Sequence, residues 1–217
     1  MEIFLSISAF IIAAAGFLYG TSRLFKKGKP LYFQILICAV GCYAIEELFS
    51  IITIVCGGYE EPITVGMLGI FGLDLFLFSA NYGQLDKIVD DGKDKRAKSL
   101  ALVAPIIIFF AQIFFFLFGK NESAFTRITL ILINLPSIPA SYYNLKHLLL
   151  KNDDLGFLKA TRWCNIMALA YYAFSHVFIF IYEVGNPLAI SLASVMNVIP
   201  ILGLSIAATK GADLWAT

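Results

Sequence analysis

Charge is what this sequence has least of. Only 14% of its 217 residues are Asp, Glu, Lys or Arg, whereas 59% are hydrophobic and the mean hydropathy is +0.82. Soluble domains carry roughly 25% charge. No water-soluble fold of this length buries that much apolar surface, which excludes a soluble enzyme or a polar binding module. Histidine is nearly absent, at two residues, and the four cysteines are Cys38, Cys42, Cys56 and Cys164. None of the cysteines forms a CxxC pair, so they read as small apolar side chains and not as a disulfide framework or metal knuckle. Catalytic zinc usually takes three protein ligands. With His147 and His176 expected near opposite ends of their segments, no metal site is expected. The net charge of +1 comes from dispersed basic residues matched by 15 acidic ones. That pattern provides no cationic face for nucleic acid.

What is present is a series of long apolar runs. A hydrocarbon core about 30 Å thick needs roughly 20 apolar residues per helix. Hydropathy and loop punctuation place spans near 3–24, 31–56, 62–85, 99–119, 125–148, 158–183 and 187–209. Transmembrane strands would alternate polar and apolar residues over about ten positions; the run from Ala101 to Gly119 is almost continuously apolar. The expected fold is therefore all-α: one polytopic domain, 1–217, built as a seven-transmembrane-helix bundle in the lipid bilayer. The first run has its positive charges after it, as a retained span does and a cleaved signal peptide does not. Fourteen of the 16 basic residues fall in the odd-numbered connections and the C-terminal segment, leaving Lys120 and Arg127 on the other side. The positive-inside bias then predicts an external N-terminus and a cytoplasmic C-terminus, in a cell membrane.

Ionisable groups inside a bilayer cost at least about 2.5 kcal/mol each on insertion scales, so those that remain are functional candidates. Glu46 and Glu47 in span 2 and Asp74 in span 3 are the clear ones. Their depths differ by only about 5 Å at 1.5 Å per residue, so a span 2 carboxylate could meet Asp74 if the two helices pack side by side. Span 6 places Asn165, Tyr172, His176 and Glu183 on one face, and span 7 does the same for Ser194, Asn197 and Ser205. Asn134 in span 5 and Gln112 in span 4 extend this polar axis. Glu46, Glu47, Asp74, Asn134, Tyr172, His176 and Asn197 are the candidate ligand or ion pathway. The plainer alternative for the amides and serines is interhelical hydrogen bonding, worth about 0.6 kcal/mol apiece. For His176 the alternatives are proton exchange with an acid, or a neutral imidazole bonded to a tyrosine or carbonyl. Pro136, Pro139 and Pro200 should kink or open spans 5 and 7.

The pattern resembles the microbial rhodopsins, seven-helix proteins with external N-termini. Span 1 ends in Gly16-Phe17-Leu18-Tyr19 before Lys26-Lys27-Gly28. Asp74-Leu75-Phe76-Leu77-Phe78-Ser79 looks like the segment carrying the family's Schiff-base counterion, and Asn197-Val198-Ile199-Pro200-Ile201 looks like the stretch carrying its retinal-binding lysine. The resemblance implies a retinal-type bundle with Asp74 as counterion. The departures bear on mechanism: Ile201 stands at the lysine position, Asn197 at the aspartate, and Phe71 where an arginine is expected. Without an amine there is no Schiff base, so no covalent retinal and no other cofactor is expected. A retinal-supplemented preparation should show no visible band that shifts on acid denaturation.

Three functions fit these observations. In the first, the bundle binds or senses a small apolar ligand or an ion non-covalently and signals through a cytoplasmic partner or a homo-oligomer. The second is a proton- or cation-coupled transporter using the mid-membrane carboxylates. The third, an intramembrane lipid hydrolase, has the least in its favour, because no nucleophile-elbow motif accompanies the serines and histidines and no catalytic residue can be named.

Overall fold

The computed structural model describes residues 2–57, 65–90, 92, 94–119, 123–150 and 156–215, without the side chains of 2, 182–184 and 187. Glu183, expected on the polar face of span 6, is therefore outside the described side chains. Among the described residues the chain is all-helical: α1 (Glu2–Leu24), α2 (Leu31–Val55), α3 (Met67–Ser79), a π-helical segment (Ala80–Asp86), α4 (Lys87–Val89), α5 (Lys95–Ala101), α6 (Val103–Phe118), α7 (Ala124–Asn134), α8 (Ser137–Leu149), α9 (Phe157–Val184) and α10 (Pro187–Trp215). Among the described residues, six helices are long and apolar enough to cross a membrane: Ile3–Leu24, Leu31–Val55, Lys95–Phe118, Ala124–Leu149, Phe157–Ile181 and Leu188–Trp215. The chain is thus built as a helical membrane protein. Five of the six phenylalanines Phe109, Phe110, Phe114, Phe115, Phe116 and Phe118 on α6 are exposed, with Phe115 alone turned inward.

Lipid tails are as apolar as leucine, so helices in a bilayer associate through close packing and not through the hydrophobic effect. α1 displays the device required. Ala9, Ala13, Gly16, Gly20 and Leu24 recur at helical spacing and are all buried, so the backbone of α1 comes close to α2 and α10. A side chain at Gly20 would overlap Ile37, and one at Gly16 would press on Ser205 at 2.8 Å. From there α2 packs on α3, α3 on α7 and α8, α8 on α9, α9 on α10, and α10 back on α1, closing a ring; α6 lies against α7, α8 and α9.

Two predicted irregularities come out differently. Span 5 is broken where expected, at Leu135-Pro136 between α7 and α8, since proline removes a backbone donor and obstructs the preceding turn. α10, by contrast, runs through Pro200 as one helix and continues past the expected end at 209 to Trp215. Its last turns are held by Ala208, Gly211 and Ala212, which are buried, and by Trp215, stacked on Phe157 at 4.2 Å and edge-on to Phe33. The helical run of span 3 likewise extends past 85, through the π segment to Val89.

Candidate functional site

The end of the bundle that holds the N-terminal turns of α1 contains a cavity of about 410 Å³. Its wall takes Leu5, Ser6 and Ala9 from α1, and Tyr43, Glu46, Glu47 and Ser50 from α2. Met67 and Ile70 of α3, Phe115 of α6, and Leu130 and Asn134 of α7 complete one side. Tyr171, Ser175, Phe178 and Ile179 of α9 and Ser194 and Asn197 of α10 close the other. Four of the seven candidate residues, Glu46, Glu47, Asn134 and Asn197, thus share one space although they come from three helices.

The two glutamates reach that space through a close helix crossing. Gly69 of α3 sits on α2 so tightly that a Cβ there would lie 2.6 Å from the Cys42 carbonyl and 2.8 Å from the Glu46 Cβ. Glu46 accepts a hydrogen bond from Ser50 Oγ at 3.2 Å, while Glu47 faces Tyr43 and Ser6. Adjacent residues on a helix diverge by about 100°, and the wide cavity accommodates both directions.

Asp74 behaves differently from the expectation. α2 and α3 do pack side by side, yet neither glutamate bonds Asp74: it is 1% exposed and both carboxyl oxygens lack a hydrogen-bond partner among the described residues. Among the described residues, the hydroxyl of Tyr172, 2% exposed, and the side-chain amide oxygen and nitrogen of Asn165 also lack partners. Ile201, at the lysine position of the resemblance, is buried in the hydrophobic core. His176 is tied down: its Nδ1 lies 2.8 Å from the Tyr172 carbonyl, which can only accept, so Nδ1 carries the proton. Nε2 is then the acceptor facing Gln112 Nε2 at 3.5 Å, and Gln112 also donates to the Asn134 carbonyl at 3.2 Å. These bonds fit the neutral imidazole and link α9 to α6 and α7, and among the described residues His176 contacts no acid. A void of about 10 Å³ between Gln112, Asn134 and His176 has room for about one water molecule.

The opposite end holds a polar network that the sequence reading passed over. Lys146 of α8 is 3% exposed and its Nζ bridges Asp86 and Asp90; Lys98 reaches Asp90 at 2.9 Å. His147 lies between Asp86, at 3.0 Å from Nε2, and the Asn81 side-chain oxygen, at 2.9 Å from Nδ1. Asn81 in turn donates to Asn144 at 3.1 Å and to the Leu77 carbonyl at 3.2 Å. The π segment explains the register. A π turn bonds i to i+5, and this one carries Asn81 and Asp86 to the same side, where they meet Asn144, Lys146 and His147 of α8. Asp90 lies in the connection after α4. Partial burial by itself would raise its pKa, but hydrogen bonds from Lys146, Lys98 and the Gly92 amide outweigh that and hold it at about 2. A carboxyl depressed in the folded state contributes stability above its unfolded value of roughly 3.9 and loses it as pH falls toward 2. Thermal unfolding in detergent should therefore show an acid limb below about pH 4 that is diminished in Asp90→Asn; an unchanged limb would count against this pairing.

No protein-family model, curated protein or solved structure matches the chain. The functional reading therefore rests on the cavity and its lining. Sequence reasoning missed Ser6, Tyr43 and Ser175 in that lining; of these only Tyr43, one helical turn before Glu47, had an advance signal.

Proposed function

We propose that the chain is a seven-helix membrane protein that binds a small ligand non-covalently in this cavity and transmits its presence to the other end of the bundle. The observation that carries the reading is the cavity's construction: a space of about 410 Å³ whose wall draws on every long helix. That volume falls in the range of small-molecule sites, roughly 300–1,000 Å³. A ligand touching that many helices biases their relative packing wherever it binds two arrangements unequally.

The seventh span in this proposal is the helical run Met67–Val89, which joins six helices that are by themselves long enough to cross. At 1.5 Å per residue it is about 34 Å long. The basic residues support an external N-terminus and a cytoplasmic C-terminus in a cell membrane, so the cavity faces outward and the Lys146 network faces inward. The rhodopsin-like architecture belongs to the same proposal, supported by Asp74 and Ile201 lying buried on α3 and α10. A cysteine-free chain carrying Ser194→Cys should react with a membrane-impermeant thiol reagent added outside whole cells. Labelling only in inverted vesicles would overturn the orientation, and no labelling on either side would overturn the open cavity.

Carboxylate-driven transport is the second reading, favoured by the three acids at and beneath the cavity. It requires flux in proteoliposomes that stops in Glu47→Gln and Asp74→Asn. Binding without flux leaves the sensor.

A further inference from the structure

We infer that the cavity takes a small organic monocation, an amine or quaternary ammonium with an apolar body, held by Glu46 and Glu47 against the rings of Tyr43 and Tyr171. This rests on the reading of the cavity as a ligand site.

The sign of the ligand follows from what faces it. Two carboxyl groups stand in the wall, and none of the described lining residues is Lys, Arg or His. A third lies just beneath. Ile70 is in the wall, and Asp74, one turn deeper on the same face of α3, is buried with both oxygens unpartnered among the described residues. The side-chain oxygen of Asn197, also in the wall, is buried and, among the described residues, unpartnered too. These are acceptors without donors in an environment where an unmet polar group is costly. A bound cation supplies the counter-charge that lets these buried carboxyl groups ionise, which neither an anion nor a neutral ligand does.

The size follows from the walls. A bare calcium ion needs about six to eight oxygens at 2.3–2.6 Å and would fill a small part of about 410 Å³. Much of the lining is instead apolar, with Ile70, Leu130 and Phe178 among it, and so suits a hydrocarbon body. Tyr43 and Tyr171 meet edge to face with ring centroids 6.3 Å apart, and both enter the wall beside the glutamates. Aromatic faces next to carboxylates are the usual means of holding an alkylated ammonium group.

The test uses the full chain in detergent, with calorimetric titration of choline and benzyltrimethylammonium against 3,3-dimethyl-1-butanol, the uncharged isostere of choline. Both cations should bind at least ten-fold tighter than the alcohol. Glu46→Gln with Glu47→Gln should lose at least ten-fold, and Glu47→Gln alone a measurable part of that. The single variant covers the case where the double one is unstable. Ser175→Trp, which fills the cavity, should abolish binding of every compound. Equal affinity for the alcohol, or full affinity in the glutamine variants, would overturn the cationic assignment. If the alcohol binds and Ser175→Trp removes it, the cavity stands and only the charge is wrong. If neither the cations nor the alcohol bind, or Ser175→Trp changes nothing, the cavity reading fails with it.

Discussion

Lys146→Met should destabilise the protein by about 3 kcal/mol, the lower end of the range for removing one partner of a buried ion pair. The ammonium group is almost fully buried and bridges Asp86 and Asp90, which belong to the π segment and the connection after α4. Methionine preserves most of the stem's volume but leaves two carboxylates facing each other across a low-dielectric space. The loss stays at the low end because Asp90 keeps Lys98 and Asp86 keeps His147. Adding Asp86→Asn to Lys146→Met should recover a large part of the loss, since the deficit is an uncompensated charge and not a missing bond. Thermal unfolding in detergent reads both; a Lys146→Met protein within about 0.5 kcal/mol of the parent would show that the pair contributes no more than an exposed one.

That network marks where the sequence stops being informative. The helices are legible because an apolar run of bilayer length has few alternatives, and the break at Leu135-Pro136 is legible because proline has no donor. The depth of Glu46 and Glu47 is legible for the same reason, and both enter the cavity. Lys146 is not, because a lysine at the end of a span reads as a cytoplasmic charge. Its burial depends on the π turn Ala80–Asp86 of a different helix, 60 residues or more earlier in the chain, and hydrogen-bond register leaves no trace in composition. Asp74 shows the complementary limit. Its depth could be read, but whether it meets Glu46 depends on the rotation of α3, which the glycine contacts set. The cavity itself is a space between seven segments, and no single stretch of residues encodes it.

Gly69→Val should separate α2 from α3 and abolish ligand binding at the cavity, at a cost of about 2–3 kcal/mol in stability, near the top of the usual overpacking range. A Cβ at Gly69 would meet the Cys42 carbonyl at 2.6 Å and the Glu46 amide at 3.0 Å. Both are backbone atoms of a hydrogen-bonded helix, so neither yields without moving the whole element. In a bilayer no water-driven attraction restores the contact once it is wedged apart. The functional loss follows from the same geometry, because Glu46 sits at the crossing and Met67 and Ile70 flank Gly69 in the cavity wall. Two neighbouring glycines provide a graded control. At Gly72 a Cβ would meet the Cys42 side chain at 3.0 Å, which can rotate, so Gly72→Ala should cost less than Gly69→Ala. At Gly83, in the π segment, nothing lies within 4 Å, and Gly83→Ala should leave both stability and choline binding near the parent values. The order expected in thermal unfolding is Gly83→Ala, Gly72→Ala, Gly69→Ala, Gly69→Val, from mildest to most severe. Choline binding should be lost at the Gly69 substitutions before the helices unfold, because a shift of about 1 Å at the crossing is enough to misplace a carboxylate that must meet a fixed cation. A Gly69→Val protein that still binds choline with parental affinity would show that α3 does not set the position of Glu46.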